Sequence, residues 1–188
     1  SITVNILPEA NGAVPLFDQA RVNTYVAGEQ SQPAVATLTD GSYVVVWQSY
    51  NQDGNSWGVF GQHFTAAGVP VGLEFAINSY IWNSQDGVSV AALAGGGYVV
   101  AWRSEAQDGS SGGVFAQVFS AQDAALGDEF RVSASTVYDQ THAAVIGLAD
   151  GGFVVAFADQ VRDSSGYGTY AQRYDASGTP IGSDFLVN

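Results

Sequence analysis

The sequence predicts an all-β fold of three four-stranded antiparallel repeats arranged like propeller blades. The first observation behind this is internal periodicity. Residues 33–49 (PAVATLTDGSYVVVWQS), 88–104 (VSVAALAGGGYVVAWRS) and 143–159 (AAVIGLADGGFVVAFAD) repeat with a period of 55 and need no insertion or deletion. The second is local pattern: short apolar or alternating runs are bounded by Gly, Asp and Pro, and no stretch carries helical apolar spacing with caps. The third is a gradient within each copy, from small residues to bulky apolar ones to more polar ones. A blade has that gradient because its innermost strand crowds the central axis. A β-trefoil or a β-prism with pseudo-threefold symmetry accommodates the same count of strands.

The elements follow in order. Residues 1–23 form a preamble ending in Arg21-Val22-Asn23, the same form as Ala76-Ile77-Asn78 and Leu186-Val187-Asn188, so it reads as the last strand of a partial repeat. Repeats occupy 24–78, 79–133 and 134–188 and form one compact domain. Each opens with a strand of small residues (Ala34, Val35, Ala36 in the first) running into Asp40-Gly41, Gly95-Gly96 or Asp150-Gly151, a hairpin signal. The second strand (YVVVW, YVVAW or FVVAF) is apolar on both faces and predicts burial on both. A polar loop precedes a third strand whose alternation, as in Val59–Phe64, predicts half exposure. A turn at Gly68 or Gly178 leads to the fourth, ending at Phe75, Phe130 or Phe185.

Composition narrows the function. Five arginines and no lysine against 18 acidic residues give a net charge of −13, which leaves no basic footprint for nucleic acid. The absence of cysteine removes disulfides, zinc–thiolate sites and thiol nucleophiles. No apolar run approaches the roughly 18 residues of a membrane-spanning helix. The chain starts at Ser1 and shows no signal peptide, which reads as a mature or excised segment.

The pattern G-(S/G)-(Y/F)-V-V-x-(W/F), then Q-D-G, G-V-F-x-Q-x-F and G-x-(E/D)-F-x-(V/I)-N, over residues 23–188, resembles a repeat of large secreted bacterial proteins. Those often also carry calcium-binding nonapeptides of the RTX type. The resemblance implies an extracellular or cell-surface location and a role in adhesion. The nonapeptide G-G-x-G-x-D is missing here, so its calcium chemistry is not carried over.

Because one chain holds three copies, equivalent positions can be compared directly. Asp53, Asp108 and Asp163 recur in the loop after the second strand, beside hydroxyls and carbonyls. They are candidate ligands for calcium, although one carboxylate per loop is few and an Asx turn explains them as well. Trp57 and Tyr167 are equivalent to Gly112, and Trp82 to Ala27 and Val137, so these three aromatics read as exposed loop side chains. Together with the three aspartates they are the candidate ligand-binding residues, suited to stacking on sugars and hydrogen bonding to hydroxyls. Trp47, Trp102 and Phe157 read as core. Glu74, Glu129 and Asp184 read as solvated charges blunting an outer strand. Gln30, Gln62 and their equivalents read as partners for backbone groups between neighbouring units. His63 and His142 occupy non-equivalent positions and read as surface residues.

The expectation is therefore a non-catalytic extracellular recognition or adhesion module. It would bind a glycan or another cell-surface or matrix component, with no catalytic residue and no required cofactor. The rival is a structural, self-assembling repeat, in which a homodimer or larger assembly completes the ring. A glycoside hydrolase with two carboxylates far apart in sequence is the third reading.

Overall fold

The computed structural model describes Thr3–Val4, residues 20–160, Arg162 and residues 166–188. It contains strands and turns and no helix among those residues. β1 (Thr3–Val4) pairs with β2 (Ala20–Arg21). Three four-stranded antiparallel sheets follow. The first holds β3 (Gln30–Thr37), β4 (Tyr43–Tyr50), β5 (Trp57–Phe64) and β6 (Pro70–Ala76) in sequential order. The second holds β7 (Gln85–Ala92), β8 (Tyr98–Glu105), β9 (Gly112–Phe119) and β10 (Phe130–Arg131). The third holds β11 (Gln140–Gly147), β12 (Phe153–Gln160), β13 (Tyr167–Tyr174) and β14 (Phe185–Leu186).

The sheets stack face to face. Val44, Val46 and Val59 of the first blade pack on Tyr98, Val100 and Trp102 of the second. Ala91, Val99 and Val114 of the second pack in turn on Phe153, Val155 and Tyr170 of the third. Each large side chain buried this way contributes about 1.5–3 kcal/mol. The innermost strands run side by side, β3 against β7 and β7 against β11, and no extensive contact joins the first and third sheets. The blades therefore fan in one direction, as in a propeller, and do not close as a trefoil or prism.

Stacking on both faces changes two expectations. β5 and β9 are not half exposed: every residue from Gly58 to Phe64 and from Gly112 to Phe119 is buried, because the adjoining blades, and Val22 beside the first, pack against their faces. Nor are Glu74 and Glu129 solvated. The Glu74 carboxylate accepts the amides of Thr24 and Tyr25 (2.8 and 3.1 Å) and Gln52 Nε2 (2.9 Å). Glu129 does the same for Ser79, Tyr80 and Gln107. Asp184 accepts from Ala134 and pairs with Arg162. An outer-strand carboxylate thus latches the start of its own blade, where paired amides would otherwise lack partners. Gln62 Nε2 donates to the carbonyls of His63 and Val71, and Gln30 Nε2 to those of Ala27 and Gly28: the partners are backbone groups, but of the same repeat and not of a neighbouring one.

Each innermost strand carries a bulge two residues from its start. Pairing skips between Ser31 and Ala34, Asp86 and Ser89, and Thr141 and Ala144. The bulged residues Gln32, Gly87 and His142 take positive φ. A bulge re-aims the side chain before it, which in the second blade is Asp86.

Candidate functional site

Register fixes which loops share an end. Gln30 faces Ser49 and Tyr50 faces Trp57, so the start of the innermost strand, the loop after the second strand and the linker between blades lie together. The five sequence candidates among the described residues (Asp53, Trp57, Trp82, Asp108 and Tyr167) belong to this end. Asp163 lies outside the described residues. Trp82 sits in the linker before β7 and is 62% exposed. Trp57 and Tyr167 are the first residues of β5 and β13. Trp57 is half-buried edge-on to Tyr50, whereas Tyr167 is 52% exposed. Asp53 and Asp108 turn into their own loops: Oδ1 accepts the amide of Asn55 (3.0 Å) or Ser110 (3.1 Å), and Oδ2 is buried without a hydrogen-bond partner. That is Asx-turn geometry. Among the described residues no cluster of three or more His, Asp or Glu is arranged to hold a metal ion.

A charged cluster not foreseen in the sequence occupies the same end, between the second and third blades. Arg103 donates through Nε (3.1 Å) and Nη2 (3.0 Å) to Asp139 Oδ1, and its Nη1 lies 3.6 Å from Asp86 Oδ2. The Tyr167 hydroxyl donates to Asp139 Oδ2 at 3.3 Å. Burial pushes the Asp86 carboxyl above the usual carboxylate range against the pull of Arg103, and Glu105 and Asp139 add to the rise. One carboxyl is biased toward its protonated form while the other is clamped by a guanidinium and a phenol. Gly112 makes room for this: a Cβ there would collide with Asp139 Oδ1 and Arg103 Nε. The third copy's tyrosine then supplies the hydroxyl that a glycine in the second cannot. Beside the cluster, Ser135, Val137, Tyr138, Gln160 and Arg162 line a pocket of about 190 Å³.

The corresponding junction of the first and second blades is neutral. Gln48 stands where Arg103 does; its Nε2 donates to Ser31 Oγ (3.2 Å) and its Oε1 accepts from the Gly87 amide (3.2 Å). Ser84, equivalent to Asp139, hydrogen-bonds Ser56 at 2.8 Å. The charged set is therefore peculiar to one junction. Comparing copies could have revealed it, since position 31/86/141 reads Ser, Asp, Thr and position 48/103/158 reads Gln, Arg, Ala.

At the opposite end, His63 corrects its expected surface placement. It is 5% exposed, with Nδ1 3.0 Å from Asp123 Oδ2 of the next blade and Nε2 3.0 Å from Ser42 Oγ. The connectivity matches that of an acyl-transfer triad. Its polarity does not, because Ser42 Oγ donates to Asp40 Oδ1 (2.5 Å), leaving the hydroxyl oxygen to accept from His63. That bond also holds the Asp40 carboxyl below its usual range. Tyr98 OH donates to Asp123 Oδ1 at 2.9 Å. The array is a clasp between two blades.

By sequence, the chain matches no family model and no curated protein. By structure, it is similar to an endo-arabinase from Bacteroides thetaiotaomicron (15% identity, 83% of this chain and 61% of that one, TM-score 0.55). It is also similar to a thermostable family-43 glycoside hydrolase (13%, 89% and 60%, TM-score 0.51). A third similar structure is a protein of unknown function from Dyadobacter fermentans (10%, 82% and 52%, TM-score 0.56). The chain spans about half to three-fifths of the length of these structures. At such identities the likeness shows the fold alone, which is of the propeller type. It corrects the functional expectation: the architecture is that of carbohydrate-cleaving enzymes, so the reading as a non-catalytic recognition or adhesion module is not retained.

Proposed function

We propose that the chain is part of a carbohydrate-active enzyme of the glycoside-hydrolase type, binding a polysaccharide at the loop end of the second and third blades. The observation that carries this reading is the convergence of Asp86 and Asp139 on Arg103 at one junction, where the equivalent junction is neutral. Glycoside hydrolysis needs two carboxyl groups in different protonation states. Asp86, whose burial favours the proton, is the candidate general acid. Asp139, held by Arg103 and Tyr167, is the candidate carboxylate that works against the opposite side of the sugar. Tyr167 and Trp82 offer flat faces for stacking on pyranose or furanose rings. Two of the similar structures are carbohydrate-cleaving enzymes, which supports the substrate class.

The test is reducing-end release from arabinan, xylan and related plant polysaccharides, with binding followed in parallel. Turnover should fall at least about a hundredfold in Asp86→Asn and Asp139→Asn, the usual contribution of a positioned acid or base. Circular dichroism and thermal melting would establish that both variants fold. Absence of both turnover and binding across the panel would refute the proposal, as would full activity in both variants.

A further inference from the structure

The third blade exposes a face that its two predecessors bury. In the first blade Ala36, Val44 and Val46 are covered by the second, and in the second Ala91, Val99 and Ala101 are covered by the third. The equivalent residues of the third blade are Ile146, Val154 and Ala156. Ile146 is 63% exposed, and the neighbouring Val187, equivalent to the buried Ile77 and Val132, is 57% exposed. The opposite end of the stack differs, since Val45, Trp47 and Phe60 of the first blade are buried together with Val22. Among the described residues the stack therefore offers an open apolar face on its third blade, in line with the two blade–blade interfaces already formed.

We propose that this face docks a fourth blade of the same repeat. The established junctions describe the partner. Both are made by a face carrying Tyr or Phe, Val, and Trp or Phe at the positions of Tyr98, Val100 and Trp102. Charge adds a further requirement. Arg173 occupies the position of His63, which crosses the first junction to reach Asp123. The second junction has the uncharged Val118 and Gly178 at these two positions. On the open face Arg173 pairs, among the described residues, with Asp150 of its own blade. A fourth blade with an acid at the position of Asp123 would engage it. The occupant is thus specified: an aromatic-and-valine sheet face with one carboxylate toward the turn end. A second copy of the chain offers no such face uncovered, because its own aromatic face lies under Val22.

The experiment is an in-register extension. Residues 79–133, which carry Tyr98, Val100, Trp102 and Asp123, are duplicated directly after Asn188, in the register in which 79 follows 78. Hydrogen exchange is read on β11 and β12 and on the added unit. The expected result is a protected added unit, about tenfold slower exchange in β11 and β12, and a single thermal transition at higher temperature. Changing the added copy's Asp123 equivalent to Lys should undo part of the slowing, and Arg173→Glu in the same molecule should restore it. An added unit without protection would overturn the proposal. So would a dimer of the unextended chain that Ile146→Lys dissociates, because the face would then belong to a second copy.

Discussion

The His63–Asp123 clasp allows a double-mutant cycle whose reference state is already present in the molecule. The second junction has Val118 and Gly178 where the first has His63 and Asp123, so His63→Val and Asp123→Gly convert one junction into the other. Asp123→Gly removes an acceptor shared by His63 and Tyr98 and leaves both with buried, unanswered polar atoms. Losing hydrogen bonds to a charged group costs roughly 1.5–3 kcal/mol. Against that, Asp123 has φ +63°, where the other copies carry glycine, and relieving this conformation returns about 1 kcal/mol. The net expectation for Asp123→Gly is a loss of about 0.5–2 kcal/mol. His63→Val should cost less, since Asp123 keeps Tyr98. The double variant should be more stable than the sum of the singles by about 1–2 kcal/mol. Urea unfolding monitored by tryptophan fluorescence supplies the three differences. Additivity within about 0.5 kcal/mol would mean that the two residues do not work together.

Two further substitutions probe the other junction and the third blade's core. Gly112→Trp gives the second blade the residue that the first has at Trp57, and its side chain cannot share space with the Arg103–Asp139 pair. Loss of about 1–3 kcal/mol is expected, read by thermal melting, together with the loss of any glycan binding. Asp159 is fully buried where the other copies have Ser49 and Ser104, and burial raises its carboxyl above 3.8 despite Arg162. A raised carboxyl binds its proton more tightly in the folded state, so this group favours folding at low pH and opposes it increasingly as pH rises from the unfolded value through the folded one. Asp159→Ser should therefore match the parent near pH 3 and exceed it at pH 7 by about 1 kcal/mol, measured by denaturant unfolding at both values.

The repeat made the architecture legible. The 55-residue period, the turn dipeptides and the valine runs give strands whose starts fall at Gln30, Gln85 and Gln140. Exposure was harder to read for β5 and β9, because alternation within a strand reports chemistry on two faces and not what a neighbouring blade lays over them. Asp86, Arg103 and Asp139 were visible in principle as departures from the repeat. The aspartates that all three copies share are the more conspicuous pattern, and the structure uses Asp53 and Asp108 to turn their loops. His63 was illegible for a different reason: its partner is 60 residues away, in another blade, at a position where the other copies carry glycine. Nothing local to QHF announces that contact.

The two junctions are pinned at opposite ends. Between the first and second blades the ionisable pin, His63 with Asp123, sits at the turn end, and the loop end has only the neutral bonds of Gln48 and Ser84. Between the second and third, Arg103 and Asp139 put it at the loop end. A stack fastened this way has two hinges of opposite sense. Removing the first pin frees the turn end, and removing the second frees the loop end. A single charge-removing substitution should therefore splay the second blade about one edge or the other, and small-angle scattering of the Asp123→Gly and Arg103→Gln chains should report distinct shapes from the same three sheets.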